Sequence, residues 1–172
     1  MLVESRALAD LSADDRRQVE EVDRQSVSEM PPDEYVWFTD YPYRVLVKLD
    51  GALVSTLGIV VRRVKVGGRP VVVGGVGNVG TLRAYRRQGC ARTALDEAIR
   101  YMGQDLGAQF GFLFCEPEME AFYSRLGWQR VAAPVQFDQP AGKVTYPKPA
   151  MIRPCGDHTW PEGPVDCCGL PW

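Results

Sequence analysis

Apolar and polar positions group into distinct periods along the chain, and the clearest change of period falls near its middle. The run "YRVLVKLDGALVSTLGIVVRRVKV" holds two stretches dense in β-branched residues, joined at Asp50-Gly51. An Asp-Gly pair between two such stretches signals a type I′ hairpin. Gly67-Gly68 turns the chain again into "RPVVVGGVGNVGTL", so three antiparallel strands in a meander are expected. The third carries Gly74, Gly75, Gly77 and Gly80. Glycine weakens a strand and usually marks a bulge or a close backbone approach. The period then becomes helical. Ala91, Ala94, Leu95, Ala98, Ile99, Met102 and Leu106 line one face of a helix expected over residues 90–106, stopped by Gly107.

Upstream, residues 2–8 look strand-like. A helix follows with Ser12 as N-cap and Leu11, Val19, Val22 and Val27 on its apolar side. Downstream, "AQFGFLFC" reads as a buried strand, and a short helix over residues 119–126 ends at Gly127. From Trp128 the pattern breaks into strand fragments separated by prolines. Residues 154–172 form an irregular tail, whose Trp160 and Trp172 give it rings with which to pack. The order of strand, helix, antiparallel strands, helix, strand, helix, strand predicts a mixed α/β layer around one strand–glycine turn–helix unit.

Length and composition narrow the class. A chain of 172 residues suits one domain spanning residues 1–172, able to bury roughly 70% of its unfolded surface. The longest apolar runs are far too short to span a bilayer, and no leader pattern opens the chain, so a cytoplasmic protein without a membrane partner is expected. A net charge of −2 argues against a nucleic-acid partner. Cys90, Cys115, Cys155, Cys167 and Cys168 lack framework spacing and read as reduced thiols. A zinc set of Cys155, His158, Cys167 and Cys168 is set aside, because adjacent cysteines make poor ligand geometry, so no metal is expected.

The positive charge that exists is local. "YRRQGCARTAL" places Arg86, Arg87 and Arg92 around Gly89 at the start of the helix, with no acid before Asp96. Helix N-termini carry partial positive charge and favour acids, so cations there point to an anion. Glycine lets the backbone approach a phosphate, helix N–H groups point at it, and arginines add charge-assisted hydrogen bonds. Two phosphate signatures fail. No lysine follows the glycine as a P-loop requires, and Gly75-Val76-Gly77-Asn78-Val79-Gly80 lies inside a strand rather than opening a helix.

What fits is R-x-x-G-x-A, here Arg86, Gly89 and Ala91, after a glycine-rich strand. This resembles the coenzyme A pyrophosphate loop of the GNAT acetyltransferase superfamily. "AFYSRLGW" at residues 121–128 resembles that superfamily's A-x-x-F-Y-x-x-x-G-F helix and strand start. The resemblance runs from the first strand to about residue 131. It implies an α/β (α+β) fold: a mixed, mostly antiparallel central sheet flanked by helices, with a splayed strand pair forming the coenzyme A cleft. It implies acetyl-CoA as cofactor. Val79, Gly80 and Thr81 would offer backbone groups to the pantetheine arm. Arg86, Arg87, Gln88, Gly89, Cys90, Ala91 and Arg92 would wrap the pyrophosphate. Tyr123 matches the tyrosine that protonates the departing thiolate.

Acetyl transfer to an amine needs an oxyanion donor, for which the strand near Asn78 and Val79 is suited, and a proton donor to sulfur. The general base is left open between Glu116 and an acid of residues 28–43 acting through water; relatives often place a glutamate where Gly77 and Asn78 stand. Cys115 reads as a small buried hydrophobe rather than an acyl carrier. The chain also resembles the aminoglycoside 2′-N-acetyltransferase branch, in which the terminal tryptophan carboxylate, here Trp172, contacts the cationic sugar. Leu170 departs from that branch's acid. Glu29, Asp33, Glu34 and Asp40, with Tyr35 and Trp37, would suit a polycation. Asp33, Asp40, Asn78 and Trp172 are therefore the expected substrate contacts for a small-molecule amine. A peptide N-acetyltransferase and a non-catalytic coenzyme A binder stand as alternatives. A homodimer through C-terminal strands is compatible with the reading, and no residue specifies it.

Overall fold

The computed structural model describes residues 1–27 and 35–172, without the side chain of Val27. In chain order the elements are β1 (Leu2–Ala7), α1 (Ala13–Val27), β2 (Tyr43–Leu49), β3 (Ala52–Val66), β4 (Arg69–Thr81), α2 (Cys90–Gln104), β5 (Phe110–Phe114), α3 (Glu120–Ser124), β6 (Gln129–Arg130), β7 (Val135–Gln139), β8 (Gly142–Thr145), β9 (Ala150–Pro154) and β10 (Val165–Asp166). The expected turns close the meander. Asp50 and Gly51 have φ of 50° and 83°, and Gly67 and Gly68 have 55° and 82°, so both pairs adopt the two left-handed residues of a type I′ turn. Ser12 caps α1, its Oγ accepting the Asp15 N–H at 3.0 Å. Two helices are shorter than their apolar patterns suggest. α2 stops at Gln104, with the Asp105 N–H still reaching back to the Tyr101 carbonyl. The α3 region opens with a 3₁₀ turn at Pro117–Met119.

All strands among the described residues belong to one sheet. Its main path runs β6-β9-β5-β4-β3-β10-β7-β8, and β2 and β1 extend from the first half of β3. Only β4–β5 and β10–β7 run parallel. The β4–β5 crossover contains α2, as a parallel connection requires.

Alternation along β3, β4 and β5 sends side chains to two layers. On one side α2 buries Cys90, Ala94, Leu95, Ala98 and Met102 against Val45, Val47, Ile59, Val76 and Leu113, and Tyr123 and Trp128 close that layer. On the other, Val60, Val64, Val73, Phe110 and Phe112 meet the C-terminal strands and Trp172. α1 seals the same side further along, with Val19 and Val22 against Leu46 and Leu53. Each large side chain so buried contributes roughly 1.5–3 kcal/mol relative to exposure.

The glycines of β4 are places where these layers touch backbone. A Cβ on Gly74 would lie 1.9 Å from the Met102 sulfur, and one on Gly75 2.4–2.5 Å from the Trp172 indole. Trp172 is itself 3% exposed, and its Nε1–H donates to the Phe112 carbonyl at 3.0 Å. The tail therefore packs. Arg62 lies over the rings of both Phe38 and Trp172, at 5.5 and 5.1 Å, and joins residues 35–38 to the tail.

Replacing Gly75 by Ala should force the indole out of its seat and cost about 1–3 kcal/mol as overpacking. In a double-mutant cycle by urea unfolding, Trp172→Ala should abolish that extra cost. Additive effects would mean that the two residues do not touch.

Candidate active site at the splayed strands

β4 and β5 pair only from Val73↔Phe110 to Val76↔Leu113. β5 then ends at Phe114, while β4 continues to Thr81 still paired with β3. Among the described residues, residues 77–81 thus present an edge without a strand partner on the β5 side. That edge is also irregular. Thr56 pairs with Gly80 and Gly58 with Gly77, so Asn78 and Val79 together face Leu57. This is a bulge, and Asn78 takes a φ of 49° within it. An open, bent strand edge can receive an extended amide-bearing molecule as if it were another strand.

The chain leaves this edge through a 3₁₀ turn at Arg83–Tyr85 and enters the loop predicted to hold an anion. Arg87 and Gly89 both lie in the left-handed region, at φ 65° and 83°. Such turns gather successive N–H groups into an anion-binding concavity. Gly89 is the N-cap of α2, no side chain caps the helix, and its first turn holds no acid. The first helical bond joins the Thr93 N–H to the Gly89 carbonyl, so the N–H groups of residues 89–92 precede the intrahelical ladder. Arg83, Arg86, Arg87 and Arg92 are exposed around it. Arg86 Nε donates to the Thr81 carbonyl at 3.2 Å, tying loop to strand end. Asp96 is nearer to Arg153, at 2.7 Å, than to Arg92, at 3.7 Å. Backbone donors, helix dipole and rim charge together make this loop favourable to an anion.

Tyr123 is 7% exposed and belongs to the α2-side layer with Val76, Leu113 and Cys115. Burial, then the neighbouring Cys115, push its phenol well above the ordinary tyrosine range. A phenol so placed stays protonated throughout the neutral range, and burial makes it a weaker acid than an exposed tyrosine. Burial also pushes the Cys115 thiol up to about 11, which keeps it protonated and inert as a nucleophile. Glu116 follows on the same strand end and is engaged by Lys148 at 2.7 Å.

The expected substrate residues scatter. Asp33, Glu29 and Glu34 lie outside the described residues, and Asp40 is exposed. Asn78 is in the bulge, its Nδ2 donating to Asp23 Oδ2 at 3.3 Å. Trp172 is buried, its ring edge-on to Phe112, tilted against Phe114 and covered by Arg62, so only its carboxylate, the group expected to meet the substrate, is left for such a contact.

Sequence reasoning passed over a carboxylate that the fold brings to this edge. Asp23, on the strand-facing side of α1, pairs with Arg44 of β2 at 2.9 Å, and Arg44 is only 6% exposed. The signal was available in its spacing. Asp23 stands beside Val22 and four residues after Val19, on the helix face that the apolar residues bury.

The acetyltransferase (GNAT) domain family matches residues 10–131, most of the chain, and the protein belongs to that family. Members of the family use acetyl-CoA and act as N-acyltransferases. Solved structures agree on the fold. The chain is similar to the GNAT family N-acetyltransferase YhbS from Escherichia coli, solved in complex with CoA. The identity is 17% and the TM-score 0.66, with 99% of this chain and 94% of that one covered. An acyl-CoA N-acyltransferase from Pseudomonas aeruginosa follows at 15% identity and TM-score 0.62, covering 88% and 98%. Eis1 from Mycobacterium abscessus aligns at 16% identity and TM-score 0.59. There the match covers 77% of this chain and 32% of Eis1, so the chain spans about a third of that longer protein. No curated protein sequence matches the chain.

Gly89→Ala should cost about 1–2 kcal/mol, because a Cβ disfavours the left-handed conformation. Thermal unfolding should register it as a fall of a few degrees in Tm. An unchanged Tm would mean that the loop does not need its left-handed turn.

Proposed function

We propose that the protein is an acetyl-CoA-dependent N-acetyltransferase that moves an acetyl group directly to a primary amine of a small, cationic molecule. One observation carries the reading. The bulged, unpartnered edge at residues 77–81 leads without interruption into an uncapped, acid-free helix start ringed by arginines. Val79, Gly80 and Thr81 then hold the pantetheine arm along the edge, and the loop from Arg86 to Arg92 holds the pyrophosphate. The thioester comes to rest at the bulge. There an N–H at Asn78 or Val79, released from regular pairing, donates a hydrogen bond to the carbonyl oxygen as negative charge develops on it. Tyr123 gives its proton to the departing thiolate from the α2 side. No covalent acyl-enzyme is needed, which agrees with the protonated state of Cys115.

For the acceptor, a polycationic amine is favoured by the exposed Asp40 and by the carboxylate of Asp23 beside the bulge. Aminoglycosides bearing a 2′-amine are the first class to try. Their recognition here would rest on these acids rather than on the buried ring of Trp172.

Mass spectrometry of an aminoglycoside mixture incubated with protein and acetyl-CoA should find one added acetyl group only on compounds with the 2′-amine. No gain on any aminoglycoside, with acetyl-CoA binding intact, would reject that acceptor class and move the search to polyamines, amino acids and peptide N-termini. Tyr123→Phe should lower kcat by about 100-fold with coenzyme A affinity unchanged. Equal turnover would remove Tyr123 from the chemistry.

A further inference from the structure

We propose that Asp23 is the residue that receives the acceptor: its carboxylate binds the incoming primary ammonium at the bulge and takes its first proton. The inference deepens the acetyltransferase reading and rests on it.

An acid at this point of α1 is costly. Its neighbours in the helix, Val19 and Val22, are 3% and 1% exposed against the sheet, and Asp23 is turned to the same side. Its side chain is 17% exposed, and burial holds its carboxyl above the ordinary aspartate range despite the Arg44 guanidinium beside it. An apolar residue would serve packing alone at least as well, since buried ion pairs are seldom net stabilising.

Its surroundings are polar and incompletely satisfied. Arg44 Nη1 lies 2.9 Å from Oδ2 and 3.3 Å from Oδ1, and Asn78 Nδ2 lies 3.3 Å from Oδ2. An ionised carboxylate accepts about four hydrogen bonds, so capacity remains, chiefly on Oδ1. Among the described residues, two buried atoms of this cluster have no partner, Arg44 Nε and Ser26 Oγ. Ser26 sits over the bulged edge, its Oγ 2.4 Å from where a Gly80 Cβ would be. Buried polar atoms are rarely left unpaired, and a cluster of them beside the edge holds hydrogen-bonding capacity for a polar guest. Among the described residues, the other titratable group facing Asp23 is the phenol of Tyr41. It packs against Gly77, lies under Arg44, and is pushed up by burial to about 12.

The placement also matches the chemistry. Tyr123 serves sulfur from the α2 layer, whereas Asp23, Ser26 and Tyr41 approach β4 from the opposite layer. Acid and base then stand on the two sides of the edge where the thioester rests. The substrate ammonium gives one proton to Asp23, and the freed lone pair forms the N–C bond. As the C–S bond breaks, its electron pair goes to sulfur, which takes the Tyr123 proton. The second nitrogen proton returns through water to Tyr123, and the proton on Asp23 leaves to solvent. The products are the amide, the free thiol of coenzyme A and one proton.

Asn78 provides the test, because its side-chain amide touches Asp23 and is directly visible by NMR. Butylammonium chloride is titrated into protein loaded with coenzyme A, with butanol as the uncharged control. The Asn78 amide pair and the Asp23 carboxyl carbon should shift saturably with butylammonium and not with butanol. Asp23→Asn, and Asp23→Ser as a second variant, should weaken that response at least tenfold while coenzyme A binds as before. Unmoved Asn78 and Asp23 signals in the wild type, or an undiminished response in a variant whose spectrum stays folded, would overturn the proposal. Failure of the wild type to bind coenzyme A would instead overturn the acetyltransferase reading. The same titration on the coenzyme-free protein then decides Asp23 by itself.

Discussion

The molecule turns on a pairing that stops early. Strands β4 and β5 hold together over four residue pairs and then part, because β5 ends at Phe114 while β4 is kept in the sheet by β3 alone. Everything assigned to the site follows from that separation. The edge becomes available, the bulge frees backbone donors within it, and the loop into α2 starts from its end. A continuous β4–β5 ladder would satisfy the same backbone groups internally and leave nothing for a substrate to bind.

The separation is supported from both faces by unlike means. On the α2 side the support is apolar, with alanines, Met102 and Tyr123 packed on the strand. On the other side it is partly polar, through Asp23, Arg44, Tyr41 and Asn78. The apolar layer raises the Tyr123 phenol by excluding water. The polar layer keeps a carboxylate in place at some cost. Burial raises both groups, which makes the carboxylate a stronger base and the phenol a weaker acid.

Much of this was legible in the sequence because it is local. The two hairpin turns, the Ser12 cap, the face of α2 and the Gly89 loop each depend on residues within a few positions of one another. The glycine-rich strand announced both a bulge and close packing, and the structure has both. What escaped depends on distance along the chain. Asp23 looks like Asp14 or Asp15 until β2 brings Arg44 beneath it and the bulge brings Asn78. β10 is two residues long and exists only because β3 and β7 flank it. The seat of the Trp172 ring is equally invisible in the sequence, because its partner Gly75 has no side chain to advertise the contact.

That last contact has a consequence for how the fold can vary by descent. Gly75 and Trp172 stand far apart in the chain yet fill one volume, so neither can change freely without the other. A descendant that gained a side chain at position 75 would first have to shed or shrink the ring at 172. One that lost the ring would leave a hollow behind the cleft, open to any larger residue on β4. The tail thus acts as a constraint on inheritance, holding position 75 of the strand to glycine for as long as position 172 is aromatic.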